Sequence, residues 1–214
     1  MMERIVATVV LGYVLGSVPF SLIAGRFLRG IDLRQHGSGN LGAANTFRTL
    51  GPFPGVAVLL LDGSKGAASA LVGSLLWRPG VVVGQVELML LGGLAAVCGH
   101  LWTAFASFRG GKGVATAAGV FAAMAPVPFA IALGIWAAVV AVWRYVSLGS
   151  VVAAVALPLA ILAAGRKQVE GWSSLLLVSM GVAALVVFRH RENLKRILSG
   201  SERQLNFRGG EESE

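Results

Sequence analysis

A chain of 214 residues could hold one or two ordinary domains, but 56% hydrophobic and only 13% charged residues, with a mean hydropathy of +0.76, exclude a soluble globule, which carries about 25% charged residues. A net charge of +8 would suggest nucleic acid on a soluble protein; here the cations fall between apolar runs, not in one stripe, which points to membrane topology instead. Cys98 is the sole cysteine, so an intrachain disulfide is impossible and a cysteine-based metal site is disfavoured.

Residues 5–24 form an uncharged run of 20 residues, long enough at ~1.5 Å per residue to cross a bilayer core of about 30 Å. The run exceeds a signal-peptide core, and Glu3 and Arg4 cancel in place of a basic leader, so it reads as a retained first span. Further apolar runs follow at 53–77, 81–98, 113–143, 148–164 and 171–188. Strands alternating apolar with polar residues are absent, and helices are the segments that satisfy their own backbone in lipid. The 31 residues of 113–143 would make a helix of about 46 Å, too long for one crossing. Pro126 and Pro128 interrupt it, which divides the run into 114–125 and 127–143. The first half is short for a crossing and must lean on preceding residues or be buried in protein.

The expected fold class is thus an all-α integral membrane protein with seven transmembrane helices, N-terminus outside and C-terminus cytoplasmic, six spans being the competing count. Charge decides between them. With seven spans, 13 arginines and lysines fall on one face and 4 on the other (Arg4, Arg78, Arg166 and Lys167). The positive-inside rule makes the richer face cytoplasmic. A single membrane domain over 1–208 precedes a short polar tail at 209–214.

Three segments carry the polar chemistry. In the first, from His36 to Arg48, Ser38, Gly39, Asn40, Asn45 and Arg48 combine small residues with amides and a guanidinium, a set suited to phosphate or carboxylate; the alternative is a helix-capping turn. The second runs from His100 to Thr116, with Gly110, Gly111, Lys112 and Gly113 leading into a helix, a pattern that can cradle an anion on backbone N–H groups. It is not a nucleotide P-loop, because Ala106 and Gly113 stand where that motif needs Gly and Ser/Thr. A basic anchor at a span end explains its cations but not three glycines around the lysine. The third begins at Arg189, where the last span ends, and places His190, Asn193 and Arg196 at i, i+3 and i+6 on one face of an interfacial helix. A stop-transfer basic cluster is the alternative there. Asp62 and Lys65 lie within the second span, where ionisable residues are functional candidates or a structural ion pair. Glu87, near the outer end of the third span, reads as interfacial. The segments follow spans one, three and seven, so parity brings them to one anion-binding pocket on the cytoplasmic face.

Ser38-Gly39-Asn40-x-Gly42-Ala43-x-Asn45-x-x-Arg48, then Gly99-His100 with Phe105 and Phe108 through Thr116, then Arg189-His190-x-x-Asn193 with Arg196, Gly200 and Glu202 resemble the three motifs of the bacterial acyl-phosphate:glycerol-3-phosphate acyltransferases, the PlsY family. The likeness spans nearly the whole chain, Asp62 and Lys65 included. It implies a multi-pass enzyme of the bacterial cytoplasmic membrane that moves a fatty acyl group from acyl phosphate to the 1-position of sn-glycerol 3-phosphate. The products are phosphate and 1-acylglycerol 3-phosphate, and the donor is neither acyl-CoA nor acyl carrier protein. No metal-ligand set stands out, and no cofactor, metal, nucleic acid or obligate protein partner is expected. On this resemblance Ser38, Arg48, Lys112, His190 and Asn193 are the catalytic candidates. Gly39, Asn40, Asn45, Gly110, Gly111, Gly113, Thr116, Asp62 and Lys65 are the substrate-binding ones.

A His-x-x-x-x-Asp dyad is missing, since Leu41, Phe105 and Lys195 stand five residues after the histidines. Catalysis by positioning and electrostatics is therefore expected, with a substrate phosphate oxygen taking the hydroxyl proton and His190 as the runner-up base. The Gly110–Gly113 loop and Lys112 are assigned to acyl phosphate, and Arg48, Ser38, His190 and Asn193 to glycerol 3-phosphate. A transporter of a phosphorylated metabolite is the competing class, and it calls for polar groups through the membrane depth and on both faces.

Overall fold

The computed structural model describes residues 2–205, and Arg208 and the polar tail at 209–214 lie outside that range. Among the described residues all regular structure is helical. The first apolar run is not continuous: α1 (Met2–Ser17) stops ahead of Pro19, and α2 (Phe20–Arg29) resumes beyond it. Proline cannot donate to the helical ladder, and the carbonyls freed at the break take other donors. Thr103 Oγ1 reaches Ser17 O at 2.5 Å and Lys65 Nζ reaches Val18 O at 2.8 Å. At the far end of α2, Gly30 (φ 66°) closes the helix, its N–H on Arg26 O and the N–H of Ile31 on Gly25 O.

Then come α3 (Ala43–Leu50), α4 (Pro52–Leu76), α5 (Gln85–Leu101), α6 (Val114–Met124), α7 (Pro126–Trp143), α8 (Val146–Ala164), α9 (Trp172–Arg189) and α10 (Arg191–Leu198). Among the described residues, six helical stretches, the broken α1–α2 among them, are long and apolar enough to cross a membrane. The 11-residue α6 is not, its length being about 16 Å. The break between α6 and α7 falls at Ala125, where the prolines interrupt the long run. The third span starts and ends later than its hydropathy suggested, at Gln85 and Leu101.

The helices pair as α1 with α5, α4 with α5 and α6, α7 with α8, and α8 with α9. Between apolar helices the close approach of small residues replaces the hydrophobic drive. A methyl group at Gly66 would meet Thr116 O and one at Gly119 would meet Gly63 O, so α4 and α6 touch backbone to backbone. An apolar core of Leu90, Phe121, Leu157, Ile161 and Val186 joins α5 and α6 to α8 and α9. Outward, Leu60, Leu75 and Leu177 stand exposed on their spans, as lipid-facing residues do.

The two ends of the bundle differ. At one, Arg4 reaches Leu76 O at 3.0 Å, and Glu87 accepts from Ser174 at 2.6 Å, tying the start of α5 to the start of α9. At the other, the loops after α2, α5 and α9 converge.

Candidate functional site

The convergence encloses a cavity of about 440 Å³. Its polar mouth includes Ser38, Asn40, Arg48, Lys112, Arg189, His190, Asn193, Arg196 and Glu202, so residues from all three polar segments share one wall. Below the mouth, Phe121, Phe129, Leu133, Trp136, Leu157 and Val182 line an apolar slot between α6, α7, α8 and α9.

The first segment is shaped by Asn45. This buried amide on α3 accepts Ser38 N–H at 2.8 Å and donates to Leu33 O at 3.2 Å and His36 O at 3.1 Å. Those bonds hold the loop in a tight coil, with Gly37 and Gly39 in the left-handed region. Asn45 therefore shapes the loop, and Ser38, Asn40 and Asn45 all line the cavity. From α3, Arg48 donates from Nη2 to Arg203 O at 3.2 Å, while its buried Nε has no hydrogen-bond partner among the described residues. Burial lowers the affinity of Arg48 for its proton, and Glu202 opposes that shift.

The second segment departs from the expected cradle. Gly110 N–H donates to Leu101 O at 3.1 Å and Gly111 N–H to His100 O at 3.0 Å, so neither is free for a ligand. Both glycines serve close approach instead: a methyl group on Gly110 would strike His100 O, and one on Gly111 would strike the His100 ring and Leu41 O. From the other side Arg189 clamps Gly111 O at 2.8 Å. Gly113, with φ 80°, turns the chain into α6, and Gly113, Val114 and Ala115 line the cavity. The anion-seeking N–H groups are thus those of the first turn of α6, which have no partner within the helix. Thr116 faces away, fully buried in the seam with α4.

Lys112 and the third segment form one network. Lys112 Nζ bonds Asn193 Oδ1. Asn193 Nδ2 donates to Glu202 Oε1 at 2.7 Å, Arg196 Nε to Glu202 Oε2 at 2.8 Å, and Ser147 Oγ to Glu202 Oε1 at 2.8 Å. Burial brings Lys112 down to about 8; Glu202 resists the shift, and Arg196, Arg189 and Arg48 add to it. Glu202 itself is held below the usual carboxylate range: burial pushes it up, but its bonds from Asn193, Arg196 and Ser147 outweigh that. His190 caps α9 with Nδ1 at 2.8 Å from Val186 O, which makes Nδ1 the donor and leaves the Nε2 lone pair as acceptor. Burial, with Lys112 nearby, pushes His190 down to about 4, so its ring is neutral near pH 7.

Asp62 and Lys65 sit apart from this network. They pair at 2.7 Å inside the bundle, and His100 Nδ1 lies 3.5 Å from Asp62. Asp62 and His100 touch the cavity wall, whereas Lys65 does not. Three partners escaped assignment from sequence. Glu202 and Arg189 belonged to the third motif without a role of their own, and Ser147 gave no signal.

Fold and site define an all-helical membrane protein whose cationic site opens on an apolar slot. A family model described as glycerol-3-phosphate acyltransferase matches residues 6–200. The Chlorobaculum tepidum protein named glycerol-3-phosphate acyltransferase is 42% identical, covering 96% of this chain and 98% of its own. Moorella thermoacetica glycerol-3-phosphate acyltransferase 2 is 44% identical over 93% of this chain and 96% of its own. Among solved structures, PlsY, an integral membrane glycerol 3-phosphate acyltransferase in its glycerol 3-phosphate form, superposes with a TM-score of 0.83 at 36% identity, covering 94% of this chain and 96% of that one. Its lysophosphatidic acid form gives 0.80 at 35% identity, covering 95% and 96%. The chain belongs to the PlsY family of glycerol-3-phosphate acyltransferases, enzymes of phospholipid synthesis.

Proposed function

We propose that the protein transfers a fatty acyl group from acyl phosphate to the 1-hydroxyl of sn-glycerol 3-phosphate, giving 1-acylglycerol 3-phosphate and phosphate. The observation that carries this reading is the union, in one cavity, of a cationic mouth and an apolar slot. An anionic headgroup bearing a fatty chain fits both halves; a small polar metabolite would leave the slot unused.

In this reading Lys112 and the first turn of α6 hold the donor phosphate, with its acyl chain in the slot. Arg48 and the Ser38 hydroxyl hold the acceptor phosphate, and His190 Nε2 accepts from a glycerol hydroxyl. Asn193 keeps Lys112 in place. The acceptor oxygen attacks the carbonyl carbon, the carbon–oxygen bond to phosphate breaks, and the hydroxyl proton passes to an oxygen of the departing phosphate. Lys112 and Arg48 balance the growing negative charge. A His190 pushed down to about 4 accepts a hydrogen bond at neutral pH but is a weak base for carrying the proton.

The same reading places the mouth on the cytoplasmic face of a bacterial inner membrane, with seven membrane-inserted helices, the N-terminus outside and the C-terminus inside. The charge asymmetry supports it, as does the common direction of α1, α5 and α9. Purified protein in detergent, given palmitoyl phosphate, is expected to release phosphate only when glycerol 3-phosphate is present. Release without dependence on the acceptor would contradict the reading, as would equal turnover of palmitoyl-CoA.

A further inference from the structure

Lys65 lines a second, separate cavity of about 10 Å³, bordered also by Ser17, Val18, Asp62, His100, Gly110 and Gly111. That volume is close to the space of one water, far too small for a fatty acid or a glycerol phosphate. Lys65 is absent from the lining of the large cavity, yet it lies paired with a carboxylate inside the bundle. A buried charge is costly unless it is paired.

Its partners explain it. Lys65 Nζ lies 2.7 Å from Asp62 Oδ1 and donates to Val18 O, 2.8 Å away, at the α1–α2 break. Asp62 faces His100 Nδ1 at 3.5 Å. The His100 carbonyl accepts the Gly111 N–H at 3.0 Å, and the His100 ring fills the space that a Gly111 side chain would need. Arg189 grips Gly111 O on the opposite side. The next residue is Lys112, bonded to Asn193. One chain of contacts thus runs from the broken first span to the ammonium at the cavity mouth.

We infer that Asp62, Lys65 and His100 are a positioning unit for the acyl-transfer step: they brace the Gly110–Gly111 turn against α5 and so set the place of Lys112, without touching substrate through Lys65. The inference rests on the acyl-transfer reading of the cavity. It replaces a binding role for Asp62 and Lys65 with a mechanical one, and it gives the two glycines a reason other than phosphate contact. Either charge removed alone would strand the other in the bundle. Removing both leaves a neutral pair of similar volume, a change that buried ion pairs often tolerate.

The test is the double variant Asp62→Asn/Lys65→Met in the full-length protein in detergent, beside the wild type and Lys112→Ala. The expected result is an unfolding midpoint within a few degrees of wild type, with kcat/KM for the acceptor down by about 10- to 100-fold, the scale of a misplaced reacting group. The alkaline limb of kcat/KM, set by Lys112 facing Asn193, His190, Glu202, Arg196, Arg189 and Arg48, should move to higher pH as the lysine relaxes toward water. A folded double variant with wild-type kcat/KM overturns the inference, and so does lost activity with the alkaline limb unmoved. If the double variant does not fold, His100→Phe decides: it keeps an aromatic ring and the Asp62–Lys65 pair but loses the contact with Asp62, and unchanged kcat/KM in it overturns the inference. A wild type with no acceptor-dependent phosphate release speaks against the acyl-transfer reading itself, whereas an active wild type with unaffected variants speaks against the positioning unit alone.

Discussion

The ammonium of Lys112 makes the sharpest prediction. Burial between α6 and α10 brings its ionisation to about 8, with Glu202 opposing and three arginines reinforcing the shift. If the charged form balances the departing phosphate, activity is full below that value and lost as pH rises through it. With a midpoint of about 8, roughly nine-tenths of the enzyme is charged at pH 7 and roughly one-tenth at pH 9. The limb of kcat/KM reports the free enzyme, so it should fall near pH 8; the limb of kcat should lie higher, because a bound dianion favours the ammonium. Lys112→Met removes the charge at every pH and should cost about 100-fold in kcat, the scale of losing one charge-stabilising group. Lys112→Arg stays charged throughout, so it should retain part of the activity and show no alkaline limb. The assay is phosphate release from palmitoyl phosphate between pH 6 and 10, with the acceptor varied at each pH. A wild-type profile flat to pH 10, or an alkaline limb that survives in Lys112→Arg, would refute the reasoning.

Other outcomes follow from the same structure. Glu202→Gln removes the anion that supports Lys112, so its alkaline limb should move to lower pH. Because Glu202 is held below its unfolded value of about 4.3, its stabilising contribution is present above that pH and lost as pH falls through the lower folded value; thermal melts from pH 7 to 3 should show a steeper acid loss in wild type than in Glu202→Gln. Ala132→Phe, on the slot wall, should shift the preferred donor toward shorter chains by about fourfold per excluded methylene, since each is worth about 0.8 kcal/mol, while the KM for glycerol 3-phosphate stays unchanged. Gly66→Val would push a side chain against Thr116 O; the cost of about 1–3 kcal/mol for overpacking should appear as a lower unfolding midpoint.

Much of this was legible in the residues, and the misses have physical causes. Pro126 and Pro128 announced the α6–α7 break because a polar-free run of that length needs a reason to stop. Pro19 went unread as a break because the run around it stays apolar, and its cost is met by Thr103 from the loop after α5 and by Lys65 from α4. The short amphipathic α3 was hidden in a segment read as loop. Asn45 was visible as a polar residue in a glycine-rich stretch, but its three bonds to residues 33, 36 and 38 exist only once that stretch coils. Gly110 and Gly111 were read as an anion cradle; that their N–H groups bond Leu101 O and His100 O, and that His100 fills the space a side chain would need, depends on how α5 ends. Glu202 was part of the family pattern, yet its place at the centre of the Lys112 network required the return of the chain after α10.

The most direct measurement of the central claim is the product. Purified protein incubated with palmitoyl phosphate and labelled sn-glycerol 3-phosphate should yield one phosphate for each 1-palmitoylglycerol 3-phosphate, with the ester at position 1 by NMR. Phosphate release without an acylated acceptor would contradict the account.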